Sequence, residues 1–368
     1  MPPRLRFYIS LLGIPLAILA SKHLIDSIAP VMQPIQQLCA NPDKAHGLGV
    51  RTVFSGVQAV DQGFLCFIVP FFMEAISTSI GRVITAELLG LFAVVLVMFT
   101  MEGSRTRTMG TLLSWSSVIG FLCNIISVSV TVPLVWVPAY EWYANGQPSG
   151  KRNVILETIS PGRAAAIMIS VLLVFGGPSV SMFLNLEKST LEYIIAVWQF
   201  VPLLVGPIAI ALTPLFGWVA LPTPQTSGDD KLFKARWRVI QSKSMVETVY
   251  LLFMGLGALL HYGVIIHSAW TGVGLIQGVY DIATYQTNAV LTAPENLPST
   301  VYAYFLLGDW FVLALSLASF ALFEDGIMGL LVYLIITACL GPASGLAGYL
   351  AWRENGVQNS KLVVEKTE

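Results

Sequence analysis

The chain has 368 residues, of which 55% are hydrophobic and only 11% are charged. Soluble proteins carry about 25% charged residues, so this composition excludes both a soluble domain and an intrinsically disordered protein. The net charge of −1 leaves no basic excess, which excludes a nucleic-acid partner.

Long apolar runs dominate the sequence. A helix that spans the bilayer needs about 20 mostly apolar residues. This criterion predicts about nine transmembrane helices, at residues 7–25, 54–73, 84–101, 110–138, 164–185, 192–218, 247–267, 301–322 and 327–350. The fold class predicted is all-α, a polytopic membrane helix bundle with about eight to nine transmembrane helices. We expect residues 1–352 to form a single transmembrane domain and residues 353–368 to form a disordered charged tail.

The first apolar run has the basic flank of a signal sequence, but no small-residue cleavage site ends it before Lys22. We interpret it as a retained anchor. The last two runs are separated only by residues 323–326, which predicts an antiparallel hairpin. The segment 219–246 is the richest in Lys and Arg, so we expect it on the cytoplasmic side of a multi-pass protein of the endoplasmic reticulum. With nine spans, Arg163 shares that side while Arg105 and Arg107 lie opposite.

The four cysteines are far apart in the chain and have no metal-ligand spacing, so we interpret them as small core residues. They are Cys39, Cys66, Cys123 and Cys339.

Ionisable side chains inside apolar helices cost at least about 2.5–3.5 kcal/mol, so they are functional candidates. Asp61 lies well inside the second predicted helix, and Asp309 lies in the eighth. An alternative for Asp309 is a carboxylate at the headgroup level. Glu247 and His261 share one face of the seventh helix, but about 21 Å separates them, which is too far for a dyad. A structural hydrogen bond is the alternative for His261.

Polar amides and aromatic rings form a second group of candidates. Gln199, which follows Trp198 in an almost wholly apolar helix, would be costly unless it faces a partner or a ligand, and Asn124 is similar. Tyr140 belongs to an aromatic cluster that fits either an interfacial belt or a pocket that stabilises a cation. Glu102 and Arg105, one turn apart, fit a surface ion pair as well as a site.

Several catalytic motifs are absent from the sequence. It has no GxxxxGK[ST] phosphate loop, no HExxH, no GxSxG and no aspartate-rich box that would hold magnesium around a diphosphate. We therefore expect no metal and no cofactor, and any catalysis to depend on a few buried protonatable groups.

Four stretches, taken in order, resemble a known family. They are Gly56-x4-Asp61-x3-Leu65-x3-Val69-x-Phe71-Phe72, Glu102-Gly-Ser-Arg105 leading to Val132-Pro133-Leu134, Pro161-x2-Ala164 through Trp198-Gln199-x-Val201-Pro202-Leu203, and His261 followed by Asp309. Together they resemble the ascochlorin/ascofuranone-type cyclases, fungal integral-membrane terpene cyclases of meroterpenoid biosynthesis. Arg105-Thr106-Arg107 departs from the Gly-Asn-Arg-like run of that family.

The resemblance implies a cyclase for the farnesyl tail of a prenylated aromatic polyketide, which acts by opening a terminal epoxide or protonating an olefin. The implied partners are the lipophilic farnesyl phenol or its epoxide, the lipid bilayer and a pathway epoxidase. We expect catalytic roles for Asp61, Asp309 and His261, with Asp61 or Asp309 as the general acid. The expected substrate contacts are Gln199, Trp198, Glu247, Tyr140 and Asn124.

Two other functions fit the same residues. A proton-coupled transporter or exporter of a small lipophilic metabolite also needs intramembrane acids. A receptor or scaffold would use the acids as hydrogen bonds between helices and would contain no cavity next to them.

Overall fold

The computed structural model describes residues 11, 13–41, 51–143, 154–222, 231–272, 274–284 and 297–358. These residues form helices and no strand, which confirms the all-α bundle. Within them, six helices are long and apolar enough to span a membrane, fewer than the eight to nine predicted. They are Gly13–Ala40, Ser79–Gly103, Val154–Ser181, Val201–Val219, Phe233–Thr271 and Ser299–Leu340.

The α-helices are numbered here in chain order. They are α1 (Gly13–Ala40), α2 (58–75), α3 (Ser79–Gly103), α4 (Ser116–Ile126), α5 (128–143), α6 (161–181), α7 (Lys188–Trp198), α8 (Val201–Leu212), α9 (Lys231–Thr271), α10 (Leu275–Ala283), α11 (Leu297–Leu340) and α12 (Pro342–Gln358). The helices α2, α5 and α6 each contain a π-helical turn, at Asp61–Leu65, Val132–Trp136 and Val171–Gly176. Short 3-10 turns lie at Thr106–Thr108, Leu112–Trp115, Val154–Glu157 and Thr213–Val219.

The helix α3 forms the centre of the bundle. It is almost continuously apolar, and most of its residues are buried. Its N-terminus is capped by the side chain of Thr78, which accepts a hydrogen bond from the Gly81 amide. Because α3 is buried along most of its length, other helices must pack around it on several sides.

The predicted fourth span, 110–138, is wrong as a single helix. The chain breaks at Ser127, whose φ of 107° is unusual for a residue with a side chain. Before the break α4 runs antiparallel to α3, since Gly120 lies beside Leu96. After the break α5 runs back along α3, where Trp136 stacks on Phe99 at 5.1 Å between ring centroids. The two helices therefore form a hairpin that enters the bundle and leaves at the same end.

The predicted hairpin at 323–326 is confirmed. The chain reverses at Gly326, which has a φ of 72°, and the Tyr333 hydroxyl donates to the Ala314 carbonyl across the two arms of α11. The predicted span 327–350 is wrong, because the chain reverses again at Gly341, whose φ is 87°. A positive φ is accessible to glycine at little cost, so both reversals need glycine.

The predicted domain boundary at residue 352 is also wrong. The helix α12 continues to Gln358, and Arg353 and Glu354 are fully buried. Their charges are paired within the bundle. The polar residues that follow residue 352 therefore belong to the folded helix α12 and not to a solvated tail. Residues 359–368 lie outside the described residues.

Of the four cysteines, predicted to be small core residues without a partner, only Cys123 fits. Cys39, near the end of α1, forms a disulfide with Cys66 of α2. A separation of 27 residues gives no sequence signal, and only the packing of α1 against α2 brings the two together. Cys123 is free and buried, and Cys339 is free and exposed.

Buried ion pairs join several helices at the end of the bundle where α3 terminates. We call these residues the charge cluster: Glu102, Arg105, Glu157, Arg353 and Glu354. The Arg105 guanidinium donates to Glu102 at 2.9 Å, to Glu354 at 2.7 Å and to the Glu157 carbonyl at 2.6 Å. Of the two interpretations of Glu102 and Arg105, the surface ion pair is wrong, because the pair forms but both side chains are completely buried.

The same end of the bundle contains residues that a nine-span topology would separate. Arg163 donates to the Ser104 hydroxyl at 3.2 Å, next to Arg105. The predicted placement of Arg105 and Arg163 on opposite sides is thus wrong. The cause is the hairpin of α4 and α5, which enters and leaves at one end and so removes one crossing from the count.

Candidate active site

A cavity of about 340 Å³ lies between α1, α2, α3, the junction of α4 with α5, the end of α7 and α11. Small-molecule sites typically enclose about 300–1,000 Å³, so this volume suits one apolar ligand. Its walls are mainly aromatic and aliphatic. The rings that line it are Phe64, Phe67, Phe71, Phe72, Phe92, Trp198 and Phe305.

One side of the cavity is lined by residues that face outward from the bundle. Ile25 of α1 is 63% exposed, and Ile125 and Ile126 at the end of α4 are about half exposed. In a membrane these side chains contact lipid tails. This side of the cavity wall is therefore the one through which a lipophilic molecule would enter from the hydrocarbon layer.

Asp309 contributes the one carboxyl group among the described residues that line this cavity. Its Oδ1 accepts hydrogen bonds from the Ser127 hydroxyl and, at 3.1 Å, from the Ser129 amide. These donors belong to the start of α5, where amide groups have no partner within the helix. These two hydrogen bonds fix the carboxyl group of Asp309 in the cavity wall. The alternative of a carboxylate at the headgroup level does not fit, because Asp309 is only 6% exposed and lines the cavity.

Gln199 lies at the break between α7 and α8 and also lines the cavity. Its side chain is completely buried, yet neither the amide oxygen nor the amide nitrogen has a hydrogen-bond partner. Its backbone carbonyl accepts from the Asn124 side chain at 3.0 Å, which holds the break in place. A buried polar group without a partner costs about 1–3 kcal/mol, so this amide points to a ligand that supplies the missing hydrogen bond.

The aromatic rings of the cavity are held by contacts among themselves. Trp198 packs edge-on against Phe72 at 5.4 Å, and its indole N–H donates to Ser179 at 2.9 Å. Phe71 packs edge-on against Phe305 at 5.0 Å. Fixed ring faces attract a nearby cation, so the arrangement can stabilise positive charge that has no counter-ion.

Asp61 has a different position from the one expected. It does not line the cavity, and its carboxylate accepts hydrogen bonds from the Ser55 amide, the Ser55 hydroxyl and the Gly56 amide at 2.8–2.9 Å. The carboxylate thus fixes the turn that precedes α2. A local capping role explains why this acid is buried.

The other expected site residues also lie away from the cavity. His261 bonds to Glu87 at 2.8 Å, while the cavity-lining side chains of α3 are those of Leu88, Leu89 and Phe92. Glu247 accepts from Asn355 at 3.1 Å. Neither belongs to the cavity wall.

Tyr140 is part of the charged end of the bundle and not of the cavity. Its ring stacks on Trp136 at 5.1 Å, its hydroxyl donates to Glu324 at 2.8 Å, and Arg353 donates to that hydroxyl at 2.9 Å. Its burial excludes an interfacial belt for this residue, whereas Trp142 is 65% exposed.

The cavity therefore gathers four of the expected residues and adds others that the sequence analysis missed. The four are Asp309, Gln199, Trp198 and Asn124. Ser127 was missed, although the Ser127-Val-Ser129 pattern interrupts an apolar run and could have indicated a helix break. The phenylalanines were not identified as site residues, although Phe71 and Phe72 belong to the first of the stretches that resemble the cyclase family. Among the described residues, no group of three His, Cys, Asp or Glu side chains could hold a metal ion.

Comparison with known families identifies the group to which the chain is related. The CtvD domain matches residues 29–277. The chain belongs to this family. CtvD proteins are related to meroterpenoid cyclases, which indicates a terpene cyclase-like role. The matched region contains most of the cavity wall, whereas Asp309 lies beyond it. No curated protein and no solved structure matches the chain.

Proposed function

We propose that this CtvD-family protein is a membrane-bound, metal-independent terpene cyclase with Asp309 as its general acid. The substrate class is a farnesylated aromatic polyketide or its terminal epoxide, made by a pathway epoxidase. One observation carries the proposal. The unpartnered amide of Gln199 and the carboxyl group of Asp309 line one aromatic cavity, and part of the wall of this cavity is formed by exposed apolar side chains.

The chemistry follows from the positions of these groups. In its neutral form Asp309 accepts through Oδ1 and presents the Oδ2–H proton to the cavity. This proton moves to the epoxide oxygen as a C–O bond breaks, or to an alkene carbon. The electrons of a neighbouring double bond then form a C–C bond with the electron-poor carbon. The final cation then loses a proton from a neighbouring carbon to the Asp309 carboxylate, and the electrons of that C–H bond form a new double bond. The acid returns to its starting state, so the product is an isomer of the substrate.

The cavity supports this reaction in two further ways. The aromatic faces around Phe72 and Trp198 stabilise the cation as it moves along the chain. The scarcity of polar groups in the wall limits water, which would otherwise quench the cation. Gln199 is positioned to hydrogen-bond a substrate oxygen.

The experiment feeds a farnesylated phenol and its terminal epoxide to yeast membranes that contain the protein. The expected product has unchanged mass and is absent from membranes with Asp309→Asn at equal protein level. Full cyclisation by Asp309→Asn would show that this acid is not the proton donor.

A transporter of a lipophilic metabolite is the second candidate, favoured by one observation. The chain is interrupted at Ser127 and again beside Gln199, and both breaks face the cavity. Discontinuous helices that meet within the membrane are typical of transporters. Passage of the unchanged compound across liposomes containing the protein, without isomer formation, would favour this function.

A further inference from the structure

A second, larger cavity of about 880 Å³ lies at the end of the bundle where α3 terminates. Its walls come from the segment after α3, the start of α6, the 3-10 turn after α8 and the start of α9. It is separate from the aromatic cavity and shares no lining residue with it. The proposed cyclase function makes no use of it.

The charged groups in this second cavity are two arginines. Arg163 and Arg238 line it, and none of its described lining residues is Asp or Glu. The Arg163 Nη1 is buried and has no hydrogen-bond partner, although its Nε donates to Ser104 at 3.2 Å. Arg238 forms no ion pair within the described part of the chain. Two guanidinium groups without carboxylate partners make the cavity a site for an anion.

Two carboxylates at this end of the bundle are already neutralised. Glu157 pairs with Arg107 at 2.6 Å, and Glu102 pairs with Arg105 at 2.9 Å. The start of α6 adds a favourable field, because the N-terminus of a helix carries partial positive charge and Pro161 and Ser160 at this terminus line the cavity. An anion there would satisfy donors that the protein leaves open.

The surroundings of the cavity place this anion at the membrane surface. The wall segment Thr213–Val219 ends a helix of membrane-spanning length, and its Leu215 and Trp218 are 66% and 78% exposed. Met109, on the opposite wall, is 71% exposed. Exposed apolar chains with a tryptophan are typical of the boundary between lipid tails and headgroups. The anion therefore lies at headgroup depth.

The orientation of the bundle indicates which leaflet of the membrane the second cavity faces. Basic residues at the start of α9, among them Arg236 and Arg238, lie at this end, whereas the disulfide at Cys39 lies near the end of α1, toward the other end of the bundle. Basic loops face the cytoplasm and disulfides form in oxidising compartments. The cytoplasmic leaflet carries anionic lipids, which basic pockets between helices bind.

We propose that the second cavity binds the phosphate group of an anionic phospholipid headgroup, held by Arg163 and Arg238. Arginine suits this ligand because its planar guanidinium offers two parallel hydrogen bonds to phosphate oxygens. The cavity volume leaves room for a glycerol or sugar portion of the headgroup beside the phosphate.

The test measures the melting temperature of the full-length protein in detergent micelles during titration with phosphatidylinositol 4-phosphate. Phosphatidylcholine, inorganic phosphate and soluble inositol phosphate are titrated in parallel. The variants are Arg163→Gln and Arg238→Gln. The matched control is Arg236→Gln, which removes an exposed arginine of α9 that does not line the cavity.

The anionic lipid is expected to raise the melting temperature of the wild type, with about tenfold weaker apparent affinity in each cavity variant, as for loss of one charged hydrogen bond. Arg236→Gln is expected to bind as the wild type does. Arg238 is exposed, so its variant folds even if Arg163→Gln does not. Equal loss in Arg236→Gln, equal stabilisation by phosphatidylcholine, or saturation by inorganic phosphate or soluble inositol phosphate alone would overturn the proposal.

Discussion

The carboxyl group of Asp309 accepts a hydrogen bond from the hydroxyl of Ser127, although 182 positions separate the two residues. The contact joins α11 to the break between α4 and α5. The break leaves amide groups at the start of α5 without helical partners, and a carboxyl group inside an apolar bundle needs donors. Each residue therefore satisfies the other, and together they position an acid in the cavity wall.

Ser127→Ala is expected to destabilise the protein by about 1–2 kcal/mol, the usual effect of losing a helix N-cap. The variant loses the donor to Asp309 and the acceptor for the Ser129 amide. Thermal unfolding in detergent measures the change. The control is Ser181→Ala, because that half-buried hydroxyl bonds only within its own helix. An equal effect of both substitutions would contradict the capping role.

Asp61→Asn is expected to retain cyclisation activity, whereas Asp309→Asn is expected to lose activity by about 100-fold or more, as for removal of a general acid. The amide introduced by Asp61→Asn would turn one acceptor of the turn before α2 into a donor, which costs roughly 1.5–3 kcal/mol of stability. Product yield per unit of folded protein separates the two effects. Equal loss of activity in both variants would indicate that Asp61 also takes part in catalysis as an acid.

Gln199→Leu is expected to leave the melting temperature unchanged or to raise it slightly, while substrate conversion falls. The physical reason is that the substitution removes a buried amide with no partner, which costs about 1–3 kcal/mol in the empty protein. Thermal unfolding and the Michaelis constant, measured on the same preparation, test both parts. A clear loss of stability would show that the amide is structurally required.

Arg105→Met is expected to destabilise the bundle by about 3–5 kcal/mol, the usual result of leaving buried charges without a partner. Burial alone would lower the pKa of Arg105, but the carboxylates of Glu102, Glu354 and Glu157 raise it above its ordinary value, so the guanidinium stays charged. Lys188→Met is the control, since the Lys188 side chain is 62% exposed and pairs with Glu192 at 3.9 Å. A pair whose cation is solvated is worth less than about 1 kcal/mol.

Cys39→Ser is expected to lower stability by about 3–4 kcal/mol, because the disulfide closes a loop of 27 residues in the unfolded chain. Cys339→Ser, which removes an exposed free thiol, is expected to have little effect. Denaturant titration compares the two. Gel mobility with and without reductant, after thiol alkylation, confirms that the bond forms.

The sequence by itself determined the class of the molecule and some of its site. An excess of apolar residues can be stable only in lipid, where backbone groups must bond within helices, so an all-α membrane bundle followed directly. Asp309, Gln199, Trp198 and Asn124 were identifiable because polar or amphipathic groups in an apolar run are conspicuous. The reversal at Gly326 followed from a short polar interruption.

Only the tertiary structure decided which of the polar residues share a cavity. Asp61 and Asp309 look alike in the sequence, since both are acids in apolar surroundings. Their roles diverge because the partners of Asp61 lie within six positions, whereas those of Asp309 come from a helix break 180 positions or more away. The break at Ser127, the second reversal at Gly341 and the disulfide of Cys39 depend on the same kind of contact. Such contacts form only when distant helices pack, and no local pattern of residues specifies them.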